Sequence, residues 1–351
     1  MRAVVLHGPG DLRLDDIPEP ALPPGGLLVR PGAVGICGSD VRTWRHGSPR
    51  LRGPQVLGHE FAGTVVTSDV ASFLPGTPVA VCPGAPCDAC RACSAGLANL
   101  CRQRRVLGYD LPGGMADLVA VPADWIRTGG VVALDPAEPI ERGAIVEPLH
   151  TVFNGQDQIR IAAGERVLVL GLGPIGVLHV ALARSAGATV HGVDPDTDRV
   201  ARAATILGTG VVDRLLPGPN GAAGAHDEDG ADVVIVAVGA RDALATAIAS
   251  VAPGGRILAF GGLPPDARTI ELDMNDLHYR QLAIQGAFGG TPETFRRAAA
   301  WLAANPLDTA AFAPDRFPLA DALAAFEAAA AGHGLKTLLV ADDREGSALA
   351  G

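Results

Sequence analysis

Four cysteines stand within fifteen residues as Cys87-x2-Cys90-x2-Cys93-x7-Cys101. Four thiolates at this spacing can close a tetrahedral zinc site, and with every position taken by sulfur no room is left for a substrate. The metal predicted here is therefore structural. Gly84 and Pro86 before the cluster and Gly96 inside it let a loop, residues 84–102, wrap an ion. Two disulfides are the competing reading, which a reducing compartment disfavours. Cys82 falls outside the spacing, in an apolar strand, and reads as a buried thiol.

A second set of chemically capable residues is dispersed. It comprises Gly35-Ile36-Cys37-Gly38-Ser39-Asp40, then Gly58-His59-Glu60, then Glu147-Pro148-Leu149. Singly, such residues are more often core or surface. Together, Cys37, His59, Glu60 and Glu147 offer sulfur, imidazole and carboxylate. Those donors suit a zinc that keeps one position for water or an alcohol, where the metal acts as a Lewis acid.

A third stretch, Val167-Leu168-Val169-Leu170-Gly171-Leu172-Gly173-Pro174-Ile175-Gly176, is an apolar run entering a G-x-G-x-x-G turn. Gly171 permits the turn, Gly173 lets a pyrophosphate approach the backbone, and Gly176 lets helix and strand pack closely. The helix that follows offers free N–H groups to phosphate. Asp194 ends the next strand, near the ~20-residue offset of a carboxylate that binds ribose hydroxyls. This predicts a bound dinucleotide. Asp194 would repel a 2′-phosphate and no Arg directly follows it, so NAD is favoured over NADP.

The elements that must position these residues follow from the pattern. Residues 1 to about 150 read as short strands between Gly/Pro turns: Met1–Leu6, Leu27–Arg30, Phe61–Thr67 and Val79–Val81. From about 155 to 290, strands at 167–170, 189–193, 232–238 and 256–260 alternate with helices at 174–186, 196–207 and 241–251. That alternation implies a parallel sheet covered on both faces. Two Ala-rich helices, 292–305 and 319–331, and a strand, 336–340, close the chain. Pro217 to Gly230 reads as a surface loop, and Asp342 to Gly351 as a frayed tail.

Composition bounds the function. A chain of 351 residues suggests about two domains. Hydrophobic content of 48% and charged content of 19% describe a well-cored protein. A net charge of −10 argues against a nucleic-acid partner. No apolar run reaches the ~18 residues of a membrane helix and the N-terminus lacks a signal-peptide pattern, which points to the cytoplasm. Lys336 is the only lysine; all other basic residues are arginine, which reads as codon bias.

The ordered set of Gly35-Ile36-Cys37-Gly38-Ser39-Asp40, Gly58-His59-Glu60-Phe61-Ala62-Gly63, the cysteine loop, Gly113-Gly114-Met115-Ala116, Glu147-Pro148-Leu149, the glycine turn and the ending around Lys336 resembles the zinc-dependent medium-chain dehydrogenase/reductase superfamily. Within it the chain is similar to the polyol (sorbitol) and threonine dehydrogenase branch, over nearly its whole length. The resemblance implies an α/β protein: a GroES-like β-rich catalytic domain (1–153), a doubly wound parallel-sheet Rossmann domain (154–290) and a C-terminal segment (291–351) returning to the catalytic domain, with the active site in the cleft. It implies Cys37 and His59 as ligands of a catalytic zinc, with Glu60 a direct ligand or one that exchanges with water, and Glu147 in the position that is Cys in ordinary alcohol dehydrogenases and Glu in the polyol branch. Ser39 matches the hydroxyl that hydrogen-bonds the substrate oxygen. Cofactor contacts carry over to Gly171, Gly173, Pro174, Ile175, Gly176, Asp194 and Arg199, and to groups at Val238, Gly239, Gly261, Gly262, Leu263, Gly286, Ala287 and Phe288. Arg199 is expected to pack on the adenine.

The resemblance also implies NAD and two zinc ions per chain, one catalytic and one structural, and a homodimer or homotetramer. The expected reaction passes a hydride between NAD and a secondary alcohol of a polyol, cyclitol, aminocyclitol or sugar-derived substrate. A threonine-type 3-dehydrogenase acting on an amino-alcohol is the alternative, and a catalytically silent Rossmann binding protein the alternative of another class. The pocket departs from the family. Arg42 stands where many members carry His; always protonated, it is no relay base but could bind an anionic or polyhydroxylated substrate. Thr43 and Gly289 replace the Tyr and Arg of sorbitol-type enzymes, which argues against sorbitol itself. Trp44, His46, Tyr109 and His150 are further pocket candidates.

Overall fold

The computed structural model describes residues 1–207, 214–217, 229–263, 268–332 and 334–341. The loop expected after Pro217 and the tail expected from Asp342 lie outside them. The chain forms two compact units, Met1–His150 with Gly290–Gly351, and Thr151–Gly289.

The first unit is built on antiparallel strands. Leu27–Gly35 is its spine, pairing with Glu60–Ser68, with Val119–Val121 and, from the far end of the chain, with Thr337–Val340. Pro78–Val81 and Val131–Ala133 extend the sheet on one side and Asp315–Pro318 on the other. A smaller sheet joins Arg2–Gly8 to Asp11–Asp16 and Gln55–Val56. Their inward residues, with Leu57, Phe61, Met115, Trp125 and Phe326, form one buried cluster. This is the β-rich unit that the Gly/Pro-punctuated pattern predicts.

Five helices in residues 1–159 are not in that pattern: the short Arg91–Ser94, Ala123–Arg127 and Ile140–Ala144, and two longer ones. Gly38–His46 buries only Asp40 and Thr43, so it has no apolar stripe to betray it. It is started instead by a reciprocal cap: the Cys37 N–H donates to Asp40 Oδ2 at 3.0 Å, and the Cys37 sulfur receives the N–H of the third helical residue. Val146–Ile159 contains Pro148 and Gly155, two poor helix formers. Pro148 falls in the first turn, where no N–H is needed. Gly155 leaves space for Phe260, whose ring would lie 2.9 Å from a Cβ at that position.

The second unit is a six-stranded parallel sheet. Its order is Arg214–Pro217, Thr189–Asp194, Arg166–Leu170, Ala231–Val236, Val251–Ala259, Ala283–Gly286. In chain order this is 3-2-1-4-5-6, the doubly wound arrangement with its switch point beside the first strand. Val167–Leu170 and Val233–Val236 are buried on both faces, as parallel strands covered by helices must be. The edge strand Ala283–Gly286 is an addition to the expected four strands; every residue in it is exposed, so it lacks the apolar run that marks a strand. Val251–Ala259 starts five residues earlier than expected, directly after the helix Arg241–Ser250.

Candidate active site and metal centres

Two elements of the first unit converge on the dispersed set. Cys37 caps the N-terminus of Gly38–His46. His59 and Glu60 lie at the entrance to Glu60–Ser68. Gly58, at φ 94°, turns the chain into that strand, and a side chain there would strike Met115 and Val34. The donor atoms of Cys37, His59 and Glu60 all lie within 4.8 Å of one another. Donors of one zinc sit about 2.0–2.3 Å from the ion. A thiolate, an imidazole and a carboxylate this close fit that ion with small side-chain adjustments.

His59 and Glu60 each have a supporting partner. Asp40, fully buried, brings Oδ1 to 3.2 Å from His59 Nδ1, which leaves Nε2 as the free ring donor. Burial opposes charge on His59, but Asp40 and Cys37 together outweigh it and hold its pKa well above the usual value. Lys336 pairs with Glu60 Oε2, both side chains buried. The register explains how: Gly35 sits opposite Glu60 on one side and opposite Leu338 on the other. A Cβ on Gly35 would collide with Glu60 Oε2 and with Lys336 Cε, at 2.2 and 2.9 Å. The chain's only lysine is thus a site residue. Its uniqueness is the one signal in the sequence, and an excess of arginine masks it.

Glu147 is buried at the start of Val146–Ile159, outside the three-residue group. Burial pushes its carboxyl up to about 7, with His59 pulling it down and Glu60 pushing it up. Ser39 lies in the first turn after Cys37. The Tyr109 ring centroid is 5.7 Å from that of His59, and burial raises the phenol above its usual value. Arg42 is exposed one turn beyond Ser39, and His46 is exposed at the helix end. Two expected pocket residues instead pack the core. Trp44 meets Phe326 edge-on at 5.7 Å. His150, fully buried, meets Phe295 at 5.4 Å and donates through Nδ1 to the Glu147 carbonyl; burial holds its pKa down at about 3.

Cys87, Cys90, Cys93 and Cys101 bring their sulfurs within 4.8 Å of one another. None is disulfide-bonded: Cys90 and Cys93 sulfurs are 3.5 Å apart, Cys87 and Cys93 sulfurs 4.0 Å, against about 2.05 Å for a covalent bond. Backbone N–H groups draw the Cys90 thiol down to about 6, while burial and then Cys90 drive Cys93 up to about 12. Four thiols cannot ionise together unless a cation sits among them, so the donor set fits a zinc. Cys82 is a buried thiol as expected, pushed up to about 11 by burial.

In the second unit the dinucleotide residues gather at the carboxyl ends of the parallel strands. Gly171 has φ 95°, and a Cβ on Gly176 would lie 1.8 Å from the Gly171 carbonyl oxygen. A Cβ on Gly173 would meet nothing within 4 Å, so open space faces its backbone. Asp194 is buried and accepts hydrogen bonds from the Leu172 N–H (2.7 Å) and the Asp196 N–H (2.9 Å), tying the turn to the second strand. Arg199 approaches Asp194 and Asp196 at 3.8 Å each. Gly239 and Gly261 allow two further strand-end loops to touch, while Val238 and Phe288 are exposed.

A parallel sheet carrying a dinucleotide turn, in a chain whose other unit presents metal donors with coordination to spare, defines a metal-dependent dehydrogenase. Comparison with known proteins narrows the class. Residues 23–129 match the alcohol dehydrogenase GroES-like domain, and residues 174–304 match the zinc-binding dehydrogenase family. Sorbitol dehydrogenase of Rattus norvegicus is 32% identical, over 98% of this chain and 96% of its own. A Sinorhizobium meliloti 1021 protein solved bound to NADP superposes with TM-score 0.87 at 30% identity, covering 97% of this chain and 98% of that one. L-idonate 5-dehydrogenase of Escherichia coli gives TM-score 0.84 at 25% identity, with 97% of each chain covered. The chain belongs to the zinc-dependent medium-chain dehydrogenase/reductase family, in its polyol branch. It is an oxidoreductase that acts on CH–OH groups with zinc and a nicotinamide dinucleotide.

Proposed function

We propose that the chain oxidises a secondary alcohol of a polyol, cyclitol or other sugar-derived substrate and passes the hydride to NAD. The observation that carries this reading is the convergence of Cys37, His59 and Glu60 within 4.8 Å. These residues would hold the catalytic zinc, with Glu147 as a further ligand, and the cysteine loop would hold the structural one. When bound, the catalytic ion supplies a Lewis acid that acidifies the alcohol. Ser39, in the first turn after Cys37, would carry the alcohol's proton toward solvent. Asp40 fixes the ring of His59, and Lys336 neutralises Glu60 without competing for a metal. Arg42, always protonated, cannot serve as a relay base.

Asp194 would take the ribose hydroxyls and disfavour a 2′-phosphate. The test is NADH formation by zinc-loaded protein over a panel of polyols, with NAD and NADP compared. Absence of turnover across the panel with either cofactor would overturn the reading. Asp194→Ala should shift the NAD:NADP ratio of kcat/KM by about tenfold, roughly 1.4 kcal/mol; an unchanged ratio removes Asp194 from cofactor choice.

The domain division 1–153, 154–290 and 291–351 belongs to the same reading. So does assembly into a homodimer or homotetramer. Ala283–Gly286 is an exposed sheet edge paired only on its Val251–Ala259 side among the described residues, with Ile284 exposed on it. Such an edge is usually covered, and a second copy can continue the sheet. Among the described residues no helix is long and apolar enough to cross a membrane, and we place the protein in the cytoplasm.

A further inference from the structure

The stretch between Asp40 and Glu60 carries a charge pattern that alcohol oxidation does not require. It contains no Asp or Glu, but it contains Arg42, Arg45, Arg50 and Arg52, in a chain of net charge −10. Arg45 lies over the Trp44 ring at 6.0 Å. Arg50 is held in place from two sides: Nη2 donates to Asp110 Oδ2 at 2.6 Å, and Cζ sits 5.0 Å from the centroid of Tyr109. Arg42 and Arg52 are exposed and have no acidic partner among the described residues.

Arg50, Arg52, Gln55, Tyr109 and Asp110 line an open recess of about 360 Å³, the size of a small-molecule site. Tyr109 joins this recess to the metal donors. Its ring centroid is 5.7 Å from that of His59. Gln55 Nε2 pins the same segment by donating to the carbonyls of Tyr109 (2.7 Å) and Leu111 (3.0 Å). A guanidinium therefore stands one aromatic ring away from a proposed zinc ligand. Asp110 occupies one of its nitrogens, and the rest of the five-donor fork is free to donate to a partner. That fork matches the two oxygens of a carboxylate or phosphate.

We propose that this recess is a subsite for the anionic end of the substrate. The alcohol presented to Cys37, His59 and Glu60 then belongs to a polyol that carries a carboxylate or a phosphate ester, rather than to a neutral polyol. Arg50 and Arg52 bind the anion, and Arg42 adds to a positive rim that draws it in. The same rim repels an ammonium, which excludes amino-substituted cyclitols. The inference rests on the dehydrogenase reading above and deepens it.

The test uses the zinc-loaded enzyme with NAD and three matched substrates of equal carbon number: an alditol, its aldonate and its terminal phosphate. One or both anions should exceed the neutral alditol in kcat/KM by about tenfold or more, and the advantage should shrink as salt rises from low to ~1 M. The aldonate and phosphate arms separate the two sources of charge. Arg52→Gln and Arg50→Gln should each lower the anion:neutral ratio about tenfold, mainly through KM, and Arg52→Glu should lower it further. Arg52 has no partner to lose, so its variants test the subsite even if Arg50→Gln folds poorly. Oxidation of the neutral alditol with no anionic advantage overturns the subsite and leaves the dehydrogenase standing. No turnover on any of the three sinks the dehydrogenase reading and the subsite with it.

Discussion

The two metal-donor sets of the first unit solve one coordination problem in opposite ways. The cysteine loop draws all four sulfurs from Cys87 to Cys101, so a turn of chain closes it. The other set takes Cys37 from a helix N-terminus and His59 and Glu60 from the start of a strand. Its support comes from Asp40 in the helix and from Lys336, 276 positions beyond Glu60 in the chain but adjacent in the sheet. Local closure leaves four like groups whose ionisation needs a cation, so an ion there contributes to folding. Distributed closure leaves donors already oriented by buried neighbours, with coordination left for a substrate. On the proposed assignment the first arrangement serves stability, the second chemistry.

Separate variants can break that contrast. Cys37→Ser should reduce kcat/KM by roughly three orders of magnitude or more, since metal stabilisation of charge contributes several kcal/mol. Its thermal midpoint should move little and its zinc content should fall by one ion. Full activity in this variant refutes the catalytic assignment. Cys90→Ser should do the reverse: one zinc lost and several kcal/mol of stability with it, read by denaturant titration with metal analysis. A Cys90→Ser protein as stable as the parent would show that the loop needs no ion.

Lys336→Met tests whether the second set depends on its distant support. It leaves the Glu60 carboxylate buried without a partner, a change that costs about 3–5 kcal/mol. Adding Glu60→Gln should recover much of the loss, and additive destabilisation in the double variant would show that the two residues do not act as a pair. The smallest effect concerns Cys82, the cysteine that belongs to neither set. Burial raises its pKa to about 11, so it stays a thiol at neutral pH and forms thiolate only as pH rises toward that value. In chelator-treated but folded protein, a thiol reagent at pH 8 should label cysteines of the loop and leave Cys82 unmodified; mass spectrometric detection of modified Cys82 would contradict its burial.

Much of this molecule is legible in the linear chain. The glycine turn, the alternation of strands and helices after residue 155 and the cysteine spacing all encode geometry within short segments, where sequence distance and spatial distance stay close. The two helices at Gly38–His46 and Val146–Ile159 are not legible there. One buries almost nothing apolar, and the other contains a proline and a glycine whose positions make sense only beside their neighbours. The edge strand Ala283–Gly286 is formed by pairing with Val251–Ala259 and not by any hydrophobic pattern of its own.

The same division runs through the site. Residue types named Cys37, His59, Glu60 and Glu147 as donors, because thiolate, imidazole and carboxylate are the chemistry zinc accepts, and the first three stand together in the structure. They also set the dinucleotide turn, because at Gly171 and Gly176 only glycine satisfies the backbone. Tertiary structure alone decided which neighbours surround them. It sent Trp44 and His150 into the core, brought Tyr109 from a distant loop to the ring of His59, and placed a lone lysine against Glu60. Those contacts depend on strand register and on packing between distant segments, and no spacing within a linear chain records them.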